Sequence, residues 1–332
     1  MTRSRGRVGA GLITIIIAGL VVRRIPLGSF AAAFRDAHYA AFAAVMVPNT
    51  LFYFCWDTLV LKTVLGWFHG DVAYRELLPV RAASYVVGFF NTNAGRGALA
   101  AYLWRRLDRP FLELGSTVIF LVLTEYTQLV LWAMLGVLGF RKELAVSLLT
   151  LSAVIATSWI GFFLYVKSDV DPERPGRALR WLFTPREWAL LRTFRLVTAG
   201  RFARIVLLRA PMFFVSLWAH YYGAHAFDIY IPFGQMLTFL PVIFMAAALP
   251  VSVAHLGTTQ AAWLVFFGAY APAPRLLAFS LAAHLTFAST RALLGLAWLP
   301  ATYRDLLPSP SMRETTQAQQ ARAWAAAVTH RG

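Results

Sequence analysis

Two long apolar segments of this chain are each interrupted near the middle by polar or helix-breaking residues. The first covers residues 81–106 with an interruption at 91–97, and the second covers residues 233–270 with an interruption at 250–257. Inside a bilayer every backbone N–H and C=O group needs a partner, so unwound backbone must be buried in protein or line a wet cavity. One such interruption in each half of a chain indicates a substrate site near the bilayer midplane. The pattern therefore favours transport over catalysis.

The composition places most of the chain in a membrane. Hydrophobic residues make up 59% of it and charged residues 14%, against about 25% charged residues in a soluble domain. In a membrane protein, a net charge of +16 indicates above all basic cytoplasmic loops and contact with anionic lipid headgroups. Nucleic-acid binding is a poor interpretation, because no soluble domain presents that charge. We expect one integral membrane domain over residues 1–304 and a disordered cytoplasmic tail over 305–332.

Six apolar runs are long enough to predict full membrane spans. They cover residues 8–24, 38–60, 111–138, 144–166, 203–223 and 276–300. Residues 167–204 are the most basic stretch, and we expect either a cytoplasmic loop or a helix at the membrane interface.

Basic loops are expected in the cytoplasm, together with both termini. Each interrupted segment must then return to the side from which it entered, so we predict two re-entrant helical hairpins of opposite orientation. The expected fold is an all-α, multi-pass, inverted-repeat protein of the cell (inner) membrane. For the first segment, a single tilted span over residues 81–104 is the alternative.

Ionisable side chains inside spans are costly and are candidates for function. We interpret Arg96 and Arg291 as a clamp for the phosphate of a lipid headgroup, and Glu125 as its counter-charge or proton carrier. A structural ion pair between Glu125 and Arg291 is the alternative. Asp57 and His284 are expected to be structural, and Arg209 to extend its side chain to the interface. The candidate substrate-binding residues are Asn91, Asn93, Arg96, Gly97, Glu125, Ser252, His255, Gly257, Gln260 and Arg291.

The sequence contains no enzyme motif. It has no Walker sequence, no G-x-S-x-G elbow and no His-rich metal constellation. The one cysteine excludes an internal disulfide framework. We therefore expect no catalytic residues, no cofactor and no metal ion.

The two interruptions resemble motifs of the lysylphosphatidylglycerol synthase transmembrane-region family, whose members are flippase-like. Gly97 matches the first motif, and Pro250, Ser252 and Gly257 match the second; Glu125 falls where members often carry a glutamate. The chain differs from the motifs where glutamates are replaced by Ala98 and Gln260, and where arginines are replaced by Gly95 and Ala101.

The resemblance implies translocation of a lipid or lipid-linked substrate between leaflets, without the soluble aminoacyl-transferase domain of the larger members. The expected substrate is an anionic phospholipid or a polyprenyl-phosphate-linked lipid. Three alternatives stay open: a non-transporting partner or scaffold in an envelope-lipid or glycan pathway, a transporter of a small soluble anion, and a membrane-embedded transferase. Loss of both motif glutamates favours the scaffold, whereas charges retained inside predicted spans favour transport. The mostly apolar spans favour a lipid over a soluble anion.

Overall fold

The computed structural model describes residues 27–90, 92–107, 109–140, 145–168, 188–247 and 257–306, and within these ranges it contains helices and no strand. The helices are α1 (Leu27–Arg35), α2 (Tyr39–Phe68), α3 (Tyr74–Phe90), α4 (Thr92–Leu107), α5 (Phe111–Phe140), α6 (Ala145–Lys167), α7 (Arg192–Leu196), α8 (Ala199–His225), α9 (Phe233–Ala247), α10 (Thr258–Phe267) and α11 (Ala273–Leu306). A short 3-10 turn, Ala189–Leu191, precedes α7. The predicted span at 8–24 and the predicted tail beyond residue 306 lie outside the described residues.

Four of the described helices are long and apolar enough to cross a membrane. They are α2, α5, α8 and the Ala273–Trp298 part of α11. Each contains most or all of one predicted span, so the spans expected at 38–60, 111–138, 203–223 and 276–300 have helical counterparts. The predicted span at 144–166 is also a helix, α6, but it is not among these four. The chain is therefore a membrane-embedded helical protein.

The first interrupted segment forms two helices that pack against each other. Added to Gly95 of α4, a Cβ atom would come within 2.7 Å of the Cα atom of Gly88 in α3, so only glycine allows this approach. At the open end of the pair, Arg106 forms an ion pair with Glu76 at 2.9 Å. α4 therefore lies alongside α3 and does not continue it as one tilted helix. Each helix is roughly 24–26 Å long, shorter than a hydrocarbon core of about 30 Å.

The predicted interruption is longer than the one in the structure. We expected unwound backbone over residues 91–97, but α4 begins at Thr92 and includes Gly95, Arg96 and Gly97. Glycine lowers intrinsic helix stability by only about 1 kcal/mol, and packing of α4 against α3 and α5 offsets this cost.

The second interrupted segment also gives a pair of packed helices, α9 and α10. The rings of Phe239 and Phe266 stack across the pair, with centroids 4.8 Å apart. α9 lies tightly against α5, because a Cβ atom on Gly136 would be 2.6 Å from the Cα atom of Thr238. Residues 248–256, which include the candidates Ser252 and His255, lie outside the described residues.

The two helix pairs belong to opposite ends of the bundle, and each end has its own apolar core. One core contains Phe42, Trp263 and Phe279 and includes α9 and α10. The other contains Val64, Leu99 and Phe120 and includes α3 and α4. A connected set of polar side chains joins α2, α3, α5, α8 and α11, and its members are Tyr53, Asp57, Arg81, Tyr85, Glu125, Arg209 and Arg291. We call this set the polar layer.

The two ends differ strongly in charge. The end where α3, α5 and α8 begin carries Lys62, Arg75, Arg105, Arg106, Arg109, Lys167, Arg192, Arg195, Arg201, Arg204 and Arg304, with four acidic residues, Asp71, Glu76, Glu113 and Asp305. We call it the basic end. At the opposite end the described residues include Arg35, Asp36, Asp228 and Arg275. The described part of the predicted basic loop is packed into the basic end, since Thr193 and Phe194 are buried.

Candidate anion site in the polar layer

Asp57 is the centre of the polar layer. It lies in the second half of α2 and is 4% exposed. Arg81 of α3 donates from Nε to its Oδ2 atom at 2.5 Å and also pairs with it through Nη2. The hydroxyl of Tyr85, one turn further along α3, donates to the same oxygen at 3.3 Å. Asp57 therefore fixes the first helical hairpin to α2.

Arg209 of α8 is a second cation beside Asp57. Its side chain is 3% exposed, its Nη1 atom lies 3.9 Å from Oδ1 of Asp57, and its buried Nε atom has no hydrogen-bond partner. We expected this side chain to reach the membrane interface, and that prediction is wrong. The reason is tertiary: residue 209 is held inward by neighbouring helices.

Two side chains hold the backbone of α8 at this level. The Trp56 indole donates to the carbonyl of Leu208 at 2.6 Å, and the Gln128 amide donates to the carbonyl of Arg209 at 3.0 Å. Pro211, inside α8, has no N–H group, and proline is tolerated in membrane helices where neighbours satisfy nearby backbone groups. These contacts direct Arg209 towards the polar layer.

Arg291 of α11 has aromatic neighbours in place of a carboxylate. Its Cζ atom lies 3.6 Å from the ring centroid of Tyr85, 5.0 Å from that of Phe287 and 5.8 Å from that of Tyr53. Its Nε atom is buried and has no hydrogen-bond partner. Among the described residues, no carboxylate lies within ion-pair distance of it. Cation–π contact stabilises a guanidinium by about 0.5–2 kcal/mol but leaves its charge unneutralised.

Glu125 lies at the midpoint of α5 and connects to the same layer through a tyrosine. The hydroxyl of Tyr53 donates to its Oε1 atom at 3.2 Å, and the ring of Tyr53 faces Arg291. The next residue, Tyr126, hydrogen-bonds the side chain of Arg96 in α4. A line of polar side chains therefore runs from the first hairpin towards the centre of the bundle.

The layer carries more positive than negative charge. Arg81, Arg209 and Arg291 face two carboxylates, Asp57 and Glu125, and Arg81 takes the closest contact with Asp57. Burying an uncompensated charge costs several kcal/mol. Arg209 and Arg291 each have an unused buried N–H group, so a small oxyanion would find both charge and donors here.

The structure brings some predicted site residues together. Glu125 and Arg291 meet through Tyr53, and they do not form the direct ion pair that we considered as an alternative. Arg96 approaches Tyr126, beside Glu125. Gly97 faces open space, Asn91 lies outside the described residues, and the side chain of Asn93 is not described.

The second interruption has a different place in the structure. Gly257 has a φ angle of +96°, which only glycine adopts readily. Its backbone N–H donates to the side-chain oxygen of Gln260 at 2.7 Å, so Gln260 caps the start of α10. This bond links Gly257 and Gln260 to each other and involves no residue of the polar layer. The buried side-chain amide nitrogen of Gln260 has no hydrogen-bond partner.

Sequence reasoning missed three contributors to the layer: Tyr53, Arg81 and Tyr85. Arg81 lies at the start of the first apolar segment, where a cation is common and does not indicate a site. Tyrosines are also common in membrane helices, so Tyr53 and Tyr85 did not attract attention. Arg81 and Tyr85 are four residues apart, which places them on one helix face, and this spacing is the one signal available.

Comparison with known proteins adds no relative. No family model matches the sequence, and a search of curated proteins finds no significant match. The resemblance to the flippase-like family therefore stays an expectation.

Proposed function

We propose that this protein moves an anionic lipid or a lipid-linked anionic substrate between the leaflets of the cell membrane. The observation that carries the proposal is Arg291, a guanidinium inside a candidate span with a buried, unpartnered Nε atom and no carboxylate within ion-pair distance among the described residues. Such a charge is expensive in a membrane and indicates a binding site for an anion.

The charge balance supports a phosphate-bearing headgroup. With Arg81 paired to Asp57, the unpartnered Nε–H groups of Arg209 and Arg291 are available to phosphate oxygens, and guanidinium groups bind phosphate through charge-assisted hydrogen bonds. Glu125 approaches Arg291 through Tyr53 and is the counter-charge that holds the site when no substrate is bound.

The surface of the bundle supports a lipid more than a soluble anion. Large apolar side chains face outward along the helices, among them Leu164, Leu207 and Val265. Acyl or polyprenyl chains can stay in the bilayer against such a surface while only the headgroup enters the protein. Arg96 and Tyr126 would lead the headgroup from the first hairpin to Glu125.

The charge difference between the two ends supports an orientation. The positive-inside rule places the basic end in the cytoplasm. The pair α3–α4 then enters from the cytoplasm and the pair α9–α10 from outside, as re-entrant hairpins that meet around the polar layer. Two short helix pairs from opposite ends, each in its own core, support this inverted arrangement.

The test is a leaflet-exchange assay. Purified protein is placed in liposomes with fluorescent phosphatidylglycerol, cardiolipin or a polyprenyl-phosphate analogue, and the outer leaflet is quenched chemically. We expect protein-dependent movement of at least one anionic lipid and a rate about tenfold or more lower in Arg291→Gln, since hydrogen bonds to charged groups are each worth about 1.5–3 kcal/mol. The matched control is Arg275→Gln in the same helix, whose side chain is 44% exposed and pairs with Asp228.

The outcomes separate the site from the function. Equal rates in Arg291→Gln and Arg275→Gln would refute the site. Movement of no lipid by the unmodified protein would refute the function and favour the scaffold. Flux of a trapped soluble anion without lipid movement would favour the anion transporter.

A further inference from the structure

A second group of cations surrounds the C-terminal end of α2, at the basic end of the bundle. Arg192 forms an ion pair with Glu113 at 2.9 Å and also points at the carbonyl of Phe68. The guanidinium of Arg201 lies 5.8 Å from the ring centroid of Trp67 and 5.9 Å from that of Phe68. His69 directly follows Phe68 in the chain.

His69 is buried, and half of its hydrogen-bonding capacity is unused. The residue is 7% exposed; its Nε2 atom lies 2.7 Å from the hydroxyl of Thr117, and its buried Nδ1 atom has no partner. In the tautomer whose Nε2 accepts the Thr117 hydroxyl proton, Nδ1 carries a hydrogen and is a donor. A buried donor without a partner costs about 1–3 kcal/mol.

The charges around His69 are mostly positive. Burial, then the nearby Arg192 and Arg109, lower the pKa of His69 to about 4. Glu113 lies near this group and is already paired with Arg192, and Asp71, two residues after His69 in the chain, is paired with Lys62. Among the described residues, Arg109 and Arg201 have no carboxylate within ion-pair distance.

We propose that His69 and Arg192, flanked by Arg109 and Arg201, form a phosphate-binding site at the basic end, separate from the polar layer. A phosphate oxygen would accept the Nδ1 hydrogen of His69, and the remaining oxygens would pair with the guanidinium groups. Such a ligand satisfies the unpartnered donor and neutralises the excess charge in one step. The same phosphate chemistry comes from a phospholipid headgroup or from free phosphate.

The proposal is independent of transport and is tested by binding. Native mass spectrometry of the detergent-purified full chain would count retained phosphatidylglycerol, with zwitterionic phosphatidylcholine as the comparison of zero net charge. We expect Arg109→Gln to bind phosphatidylglycerol about tenfold more weakly, as expected for loss of one charge-assisted contact. Arg35→Gln, an exposed arginine at the opposite end, should bind as the unmodified protein does.

A second measurement identifies the source of the phosphate and does not depend on lipid. The unfolding temperature is followed as inorganic phosphate is added, with chloride at equal ionic strength as the control. Stabilisation by phosphate in the unmodified protein but not in Arg109→Gln or His69→Gln would assign the site to free phosphate. Binding of phosphatidylglycerol without this stabilisation would assign it to a headgroup. If Arg109→Gln and Arg35→Gln match the unmodified protein in both measurements, the proposal is wrong.

Discussion

Substituting Asp57 by Asn tests whether the polar layer is held by a buried charge. The side chains are nearly the same size, so packing is retained while the negative charge is removed. The nearly buried guanidinium of Arg209 then has no compensating charge nearby, and Arg81, 18% exposed, loses its ion-pair partner. Breaking a buried ion pair by removing one partner costs about 3–5 kcal/mol. We expect Asp57→Asn to lose stability in this range.

The matched control is Asp71→Asn. Asp71 pairs with Lys62 at 3.4 Å, but its side chain is 84% exposed, and exposed pairs contribute about 0–1 kcal/mol. The assay is thermal unfolding in detergent at neutral pH, followed by intrinsic fluorescence. At about 2–4 °C per kcal/mol for soluble chains of 150–250 residues, the expected drop for Asp57→Asn is on the order of 10 °C, against about 2 °C for Asp71→Asn.

A second variant keeps the test informative if Asp57→Asn gives little folded protein. Arg81→Met added to Asp57→Asn removes one of the stranded cations, so the double variant should recover part of the lost stability. Equal unfolding temperatures for Asp57→Asn and Asp71→Asn would refute the reasoning. They would mean that water or a rearranged partner compensates Arg81 and Arg209.

Two further predictions concern the first hairpin and the basic end. Gly95→Ala should destabilise the protein by about 1–3 kcal/mol, because its Cβ atom would lie 2.7–2.9 Å from backbone atoms of α3. Gly97→Ala in the same helix places its Cβ atom in open space and should be neutral or slightly stabilising. Unfolding temperatures measure both effects, and equal losses for the two variants would contradict the packing of α4 against α3. The pKa of His69 is lowered from 6.5 to about 4, so the folded protein binds fewer protons than the unfolded chain between these values, and its stability should be full above pH 6.5 and fall towards pH 4. Allowing for solvent screening at the bundle end, we expect the free energy of unfolding to fall by about 1–2 kcal/mol, measured as the change in unfolding temperature from pH 8 to pH 4. His69→Gln should flatten this dependence of unfolding temperature on pH. The same pH dependence in His69→Gln and in the unmodified protein would contradict the lowered pKa of His69.

Glu125 and Arg291 could be selected from the sequence, and their neighbours could not. Both lie in the middle of long apolar runs, where an ionisable residue is expensive, so composition alone marks them. The contacts that define their roles come from Tyr53 and Tyr85, on two other helices. Nothing in the local sequence of α5 or α11 indicates these partners.

Arg209 shows most clearly where prediction from local sequence fails. Near the start of a predicted span, an arginine ordinarily extends to the interface, and local sequence favours that expectation. The structure turns it inward, because Trp56 and Gln128 hold the backbone of α8 and Asp57 lies opposite.

The sequence by itself determined that this is a helical membrane protein with two interrupted segments. Apolar length and polar interruptions are local properties, and they decide directly how each segment partitions into the bilayer. It also determined the uneven distribution of charge along the chain. Only the tertiary structure decided that three arginines from three helices converge near one aspartate, and that the two helices flanking one break pack against each other at Gly88 and Gly95. Those features depend on which helices become neighbours, and side-chain fit and charge compensation across the whole bundle set that choice.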